Sequence, residues 1–401
     1  MAKITPEEAL QRLGTSQQDK RRAKAAKPLE FVRAIGESTD SLYVFRRGTS
    51  ATVTTSDSDL APVIGETEDA DFTQELPSCL DDWLDAYANE VEWWQTVGHT
   101  LPEDDAEYGA AERKDVPFMI DTKWGQGMPW NNKLDFGGGK CVVGCTATAA
   151  AQIIRYWGRK GLRRGCTATS AYTTQANKYK VAALPPKAVF DFGNMPVGTP
   201  KTAEQIEAEA VLCEYVGKAF KCDYTPGATG AYTPDVAAAM KKQFRMGGMI
   251  QLLYASSLGY TRWEAAVYEA IASGQPVLMS GGGDKGRHMF ICDGYNATTD
   301  RYHYNWGWSG KYDGWYAMTA LNPRTGYTFN TQKRAIVGIE PAYVLGDVNG
   351  DGEVSVADVM AVADHVLNQT YSEQADVNSD GKVTVTDAAL VVDKMMGKGS
   401  I

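Results

Sequence analysis

No run of apolar residues in this 401-residue chain is long enough to span a bilayer. The start, Met1-Ala2-Lys3-Ile4-Thr5-Pro6, has no hydrophobic targeting core, so any secretion signal is expected to have been removed already. Positive charge is in short supply. Against 50 Asp and Glu stand 40 Lys and Arg, a formal net charge of -10, which argues against nucleic acid as a partner. Cysteine is sparse too: seven, an odd number at irregular spacing. At least one thiol must be free, and no pair has zinc-ribbon spacing, although Cys141 and Cys145 are near enough to pair. Only four histidines are present. His99 and His365 read as surface residues; His303, on the same side of its strand as Asn305, reads as structural. What the chain does have is 43% hydrophobic residues and ten tryptophans, ample for packed cores in two or three domains.

The chain is organised around Gly144-Cys145-Thr146-Ala147-Thr148-Ala149, followed by Gln152-Ile153-Ile154-Arg155-Tyr156-Trp157. Good helix formers and the apolar set Ile153, Ile154 and Trp157 predict a helix whose first turn holds Cys145. A thiol there feels the positive end of the peptide dipoles, which favours its thiolate, and the small neighbours leave the sulfur open. On its own such a cysteine reads sooner as a buried structural residue on a packed helix, so the rest of the chain has to decide.

Upstream, Thr5-Pro6-Glu7-Glu8 reads as a helix cap with proline at N1 and acids in the first turn. Lys20 to Lys27 is a basic, solvated stretch. Residues 41–46 and 51–55 alternate like two strands joined at Arg47-Gly48-Thr49, and Leu80 to Trp94 has helical spacing. These form a small α+β unit of their own, with Cys79 a packed thiol. From Leu101 to Lys114 the chain is polar and glycine-containing, an exposed linker of the kind proteases cut. Gln126, between two glycines upstream of the cysteine, can offer its side-chain amide to an oxyanion together with the Cys145 N–H. Further on, residues 172–175 and 188–192 look extended. Helices are expected from Thr202, with a Thr202/Gln205 capping pattern, from Thr233 and from Thr261.

Residues 275–280, 287–295, 301–308 and 315–318 then read as an antiparallel meander. Its glycine loop, residues 281–286, has no following helix and no Lys-Ser/Thr, so it is not a phosphate cradle but a flexible loop facing substrate. His288 starts the strand after it. A helix carrying a nucleophile against an antiparallel sheet carrying a base is an α+β layout.

Gln126, Gly144 to Ala149, His288 to Tyr295 and Asn305-Trp306-Gly307-Trp308-Ser309-Gly310 with Asp313-Gly314 together resemble the streptopain family of cysteine peptidases, secreted bacterial zymogens with a papain-like fold. The likeness covers about Asp115 to Glu340; more loosely, Leu42-Tyr43-Val44-Phe45 and Pro62-Val63-Ile64-Gly65 are similar to that family's pro-domain. The resemblance implies that Cys145 attacks a peptide carbonyl as thiolate and that His288 pairs with it and protonates the leaving amine. It also implies that Asn305 holds the imidazole through its side-chain oxygen, that Trp306 shields that bond, and that Gln126 completes the oxyanion hole. Arg287 departs from the glycine usual before that histidine, so substrate preference does not carry over. By the same resemblance, the first segment acts as inhibitor of its own enzyme, with a maturation cut expected between Leu101 and Val116.

After Pro341 the chain repeats itself: Asp347-Val348-Asn349-Gly350-Asp351-Gly352-Glu353 is echoed by Asp376-Val377-Asn378-Ser379-Asp380-Gly381-Lys382. Each copy ends at its twelfth position in an aspartate, Asp358 or Asp387. This is a calcium-loop pattern, with side-chain oxygens at positions one, three, five and twelve and a backbone carbonyl at seven, from Glu353 or Lys382. A loop plus one helix, duplicated, resembles the dockerin modules of secreted bacterial assemblies and implies two calcium ions. Whether the module only caps the peptidase domain or docks on a cohesin-like partner is left open.

The expected division is a pro-domain over 1–112, a papain-like peptidase over 113–341 and an all-α calcium module over 342–401. Two function classes follow: a secreted, latent cysteine endopeptidase acting on proteins or peptides, and an inert calcium-dependent binding protein on a peptidase scaffold. The same acyl-enzyme also permits acyl transfer, which nothing in the sequence favours.

Overall fold

The computed structural model describes residues 3–15, 28–36, 40–97, 113–160, 165–247, 249–283, 286–319, 333–341, 345–351, 353–372, 374–378 and 380–398, and all structural statements concern these. The basic stretch Lys20 to Lys27, His99, most of the expected linker and both expected domain boundaries lie outside them.

Helix α1 (Pro6–Thr15) starts as the cap predicts. The Thr5 N–H donates to Glu8 Oε2 at 2.8 Å and the Glu8 N–H to Thr5 Oγ1 at 3.3 Å, closing a capping box. Strands β1 (Glu30–Ile35), β2 (Leu42–Arg47), β3 (Ser50–Thr55) and β4 (Gly65–Thr67) follow, then α2 (Ser78–Val97). The hairpin between β2 and β3 turns at Gly48, as its length suggests. The side chain of Cys79 lies outside the described residues.

Helices α3 (Cys145–Arg159), α4 (Ala203–Ala219), α5 (Thr233–Lys242) and α6 (Tyr260–Ala272) stand where periodicity places them, and the Thr202/Gln205 capping box is formed. Residues 188–192 are not an extended piece: Phe192–Asn194 is a single 3₁₀ turn, held by the Asp191 carboxylate on the Asn194 N–H at 3.3 Å.

Strand β5 (Gln251–Tyr254) precedes α6, and β6 (Val277–Gly283), β7 (Gly286–Asn296), β8 (Arg301–Asn305), β9 (Gly314–Tyr316) and β10 (Arg334–Val337) follow it. The expected glycine loop is mostly strand. Gly281 pairs with His288 and Gly283 with Gly286, because an antiparallel hairpin extends for as long as backbone groups can pair. Side chains alternate across β6 and β7. Leu278, Met289 and Ile291 face a core built with α3 and α4, while Val277, Met279, Phe290 and Cys292 face a core built with α2 and α6.

The N-terminal segment does not keep a sheet to itself. β4 pairs antiparallel with β9, Gly65 opposite Tyr316 and Thr67 opposite Gly314, so one ten-stranded sheet runs β1-β2-β3-β4-β9-β8-β7-β6-β10-β5. Gly314 makes this junction possible, since a Cβ there would lie 2.1 Å from the Glu66 carbonyl oxygen. The pairing satisfies an edge that either part alone would leave open.

In the tail, α7 (Val356–Leu367) and α8 (Val385–Met395) enclose a small core of Val362, Ala375, Val377 and Val391. Asp358 and Asp387 do double duty. Each ends its loop and also closes a capping box, with Ser355 and Thr384 respectively.

Candidate active site

Cys145 opens α3 behind Gly144, whose φ of 86° suits glycine and where a Cβ would lie 2.2 Å from the Thr229 carbonyl oxygen. The thiol is 8% exposed. Its Sγ accepts the Met289 N–H at 3.4 Å, so the sulfur lies directly against β7 at the residue after His288. Burial pushes the Cys145 thiol up, but a hydrogen bond to His288 and that ring's charge, with the Met289 N–H, bring it below its ordinary value. The other described thiols go the opposite way: burial raises Cys141, Cys213, Cys222 and Cys292, and takes Cys166 up to about 12. All six described cysteines are free, so Cys141 and Cys145 do not pair. Among them only Cys145 is lowered, the direction that favours a thiolate.

His288 faces two ways. One side of the ring meets the cysteine. Its Nε2 lies 3.9 Å from Asp82 Oδ2, on α2 of the N-terminal segment. The Asn305 oxygen is not on the imidazole here. It accepts the Gln152 Nε2–H and the Gly307 N–H, both at 3.1 Å, while Asn305 Nδ2 donates to the Thr122 carbonyl at 2.7 Å. The ring's outer nitrogen lies instead near the Asp82 carboxylate of α2, at 3.9 Å an ion-pair separation and too long for a hydrogen bond. Trp306 is fully buried. Its ring centroid is 4.5 Å from that of Phe290 and 6.4 Å from that of Trp83, and its backbone N–H donates to Asp313 at 2.8 Å. Gln126 is half-buried; its backbone carbonyl accepts the Val143 N–H at 2.8 Å, which ties its loop to the approach of α3. The Arg287 side chain lies outside the described residues. His303 is structural as read, its Nδ1 2.7 Å from the buried Asp293 carboxylate.

Gln152 does not stand out in the sequence. It reads there as one more helix-forming residue beside Ile153. The available signal is its distance of seven from Cys145, two helical turns on the same face.

The tail loops carry an all-oxygen donor set. Asp358 and Asp387 are fully buried and Asp347 and Asp376 nearly so. Loop N–H groups take up part of that charge: the Asn349 N–H donates to Asp358 at 2.9 Å, and the Asp380 and Gly381 N–H groups to Asp376 at 3.0 and 2.8 Å. Asn349, Asp351, Asn378 and Asp380 likewise accept N–H groups two residues on, Asp351 that of Glu353 and Asp380 that of Lys382. Among the described residues no three His, Cys, Asp or Glu side chains gather tightly enough to cage a metal. Burying two carboxylates per loop nonetheless calls for a countercharge, and a hard cation with flexible oxygen coordination fits these donors.

The Peptidase C10 family model matches residues 124–316, and the Dockerin type I domain model matches residues 345–396. Streptopain of Streptococcus pyogenes is 27% identical over 344 residues, covering 78% of this chain and 84% of its own. The thiol protease/hemagglutinin PrtT of Porphyromonas gingivalis is 25% identical over 347 residues, covering 78% of this chain and 39% of its own length. Among solved structures, a cysteine-to-alanine mutant of a prointerpain A fragment from Prevotella intermedia superposes with a TM-score of 0.64 at 25% identity, over 79% of this chain and 100% of that one. Active interpain A from the same organism superposes with a TM-score of 0.50 at 27% identity, over 60% of this chain and 99% of that one.

Proposed function

This chain carries a Peptidase C10 domain and a Dockerin type I domain, and from that premise we propose that it is a secreted cysteine endopeptidase held latent by its own N-terminal segment. The observation that carries the reading is the Cys145 sulfur seated on the Met289 N–H at 3.4 Å, next to His288, whose Nε2 lies 3.9 Å from Asp82. The proprotein fragment of interpain A also covers a larger share of this chain than the active enzyme does, as it should if the N-terminal segment has a counterpart only in the former.

Once the segment is gone, the Cys145 thiolate attacks the carbonyl carbon of a bound peptide. The oxyanion is met by the Cys145 N–H at the helix N-terminus and by the Gln126 amide. The His288 imidazolium gives its proton to the leaving amine, and the C–N bond breaks. Water then enters; His288 takes its proton, and the thioester is hydrolysed to free acid and thiolate. Asn305 accepts the ring's outer N–H in this state, and Trp306 keeps water from that bond. Asp347, Asn349, Asp351 and Asp358 and their counterparts Asp376, Asn378, Asp380 and Asp387, with the carbonyls of Glu353 and Lys382, would hold two calcium ions, whose countercharge would stiffen the tail. The tail then serves as the docking face for a cohesin-like partner.

Latency is tested by Asp82→Ala in the full-length, uncut chain. Freed of Asp82, the ring can be taken over by Asn305, and self-processing is expected to run about tenfold faster than in wild type, equivalent to about 1.4 kcal/mol. Equal processing times would show that Asp82 does not hold the enzyme latent. Processing is tested by incubating wild type beside Cys145→Ala under reducing conditions, where only the wild type should shorten. A wild-type thiol as inert as the other cysteines would favour the inert binding protein instead.

A further inference from the structure

Gln152 is fully buried on the face of α3 that carries Cys145, and every group around it fixes which way its amide points. The Trp124 N–H, which can only donate, lies 3.3 Å from Gln152 Oε1. Gln152 Nε2 must therefore face Asn305, where it donates to Oδ1 at 3.1 Å. Asn305 is oriented by the same logic. The Thr122 carbonyl can only accept and takes Nδ2 at 2.7 Å; the Gly307 N–H can only donate and takes Oδ1 at 3.1 Å. Asn305 Nδ2 also lies 3.4 Å from Gln152 Oε1, so the two amides face each other as a pair.

We propose that Gln152 is a positioning residue, which holds the Asn305 oxygen towards the place of the imidazole and so ties the ring's orientation to the helix bearing Cys145. The inference deepens the peptidase reading above and rests on it. Both donors already on Asn305 Oδ1 sit at the long end of the N–H···O range, so the oxygen can take a third, charge-assisted bond from the imidazolium of the processed enzyme. Without Gln152 the Asn305 amide loses its side-chain anchor on α3 and keeps only the Thr122 carbonyl and the Gly307 N–H, so its plane can tilt and its oxygen draw back from the ring. A ring nitrogen without that oxygen is a poorer imidazolium. The Trp124 contact extends the tie to the segment leading into Gln126, so one buried amide links three parts of the site.

The test uses full-length chains carrying Gln152→Met, Gln152→Glu, Asn305→Ala and the double change Gln152→Met/Asn305→Ala. Each is processed in trans by a small amount of tagged wild-type chain, which is then removed. Peptide hydrolysis is followed across pH. Gln152→Met is expected to lower kcat about tenfold with KM nearly unchanged, and to move the alkaline limb of the profile about one pH unit lower. The double variant should be no slower than Asn305→Ala, because both act through the same oxygen. Gln152→Glu keeps the side chain's shape. It should be impaired at neutral pH and recover towards acid pH, where a protonated carboxyl again donates to Asn305. An unmoved alkaline limb in both Gln152 variants, or losses that add in the double variant, overturns the proposal. If processed wild type itself neither hydrolyses peptide nor labels at Cys145, the peptidase reading fails first and takes this inference with it.

Discussion

At Cys145 burial and charge pull in opposite directions, and His288 decides the outcome in favour of a low thiol pKa. Glu209 on α4 has no such help. It is fully buried, and burial pushes it up to about 8, with the Trp130 indole and the Arg155 guanidinium only partly opposing. The unfolded chain ionises this group near its ordinary value of 4.5, so between there and about pH 8 the folded state binds more protons than the unfolded one. Stability contributed by the neutral acid therefore falls as pH rises through that window, by at most about 1.4 kcal/mol for each pH unit, and levels off above it. Glu209→Gln is expected to remove that slope. The difference between variant and wild type in urea unfolding, followed from pH 5 to pH 9, should grow in the variant's favour up to about pH 8.

Helix α2 is the element on which the proposed latency turns. Its Trp83 is buried against Phe290 and Tyr304 at 5.4 Å between ring centroids, and the Lys333 ammonium lies 4.6 Å from its ring. Lys333 is itself buried, which lowers its pKa, with Glu90 of the same helix opposing that shift. One turn of α2 thus presents an aspartate to the histidine and, from the next residue, an indole to the aromatic floor beside it. Trp83→Ala is expected to cost about 3–5 kcal/mol through the cavity it leaves. The cost falls on the contact between α2 and β6–β8, so the full-length variant should process itself earlier than wild type, read as the time to half-conversion on a gel. Slower or unchanged processing would separate α2 packing from latency. β8 shows a second element-level device. The strand ends at Asn305 because Gly307 and Ser309 turn with positive φ, which leaves the amide at the mouth of the sheet beside α3.

Across the whole molecule the N-terminal segment and the peptidase domain share one sheet and one core. Glu66 pairs with Arg301 at 2.5 Å beside the β4–β9 junction, and Val44, Val53, Trp83 and Tyr87 lie in the same apolar cluster as Trp263, Phe290 and Tyr316. Cutting the connecting chain would leave these contacts in place, so release of the segment is a separate event from cleavage. The tail is held more lightly: Arg245 reaches Glu353 at 3.6 Å between exposed side chains. Calcium is expected to protect residues 345–398 from added protease and to leave peptide hydrolysis unchanged within about twofold, since its effect is on tail folding. Limited proteolysis with and without chelator, read by mass spectrometry, checks this. A chelator that abolished hydrolysis would tie the tail to the catalytic site.

Helix starts, the hairpin at Gly48, the meander of β6–β9 and the calcium-loop repeat are all legible in the sequence, because caps, alternation and duplicated acidic spacing act over a few residues. The pairing of Cys145 with His288 is legible only through the family resemblance of several motifs taken together; nothing local links residues so far apart. Three things belong to the tertiary structure alone. β4 joins β9 because two open edges meet where Gly314 lets the backbones approach. Asp82 reaches His288 because α2 packs across β6 and β7. Gln152 meets Asn305 because a helix and a strand end close on one buried amide pair. Each depends on the relative placement of elements, and packing free energy summed over the whole core determines that placement, which no short stretch of sequence carries.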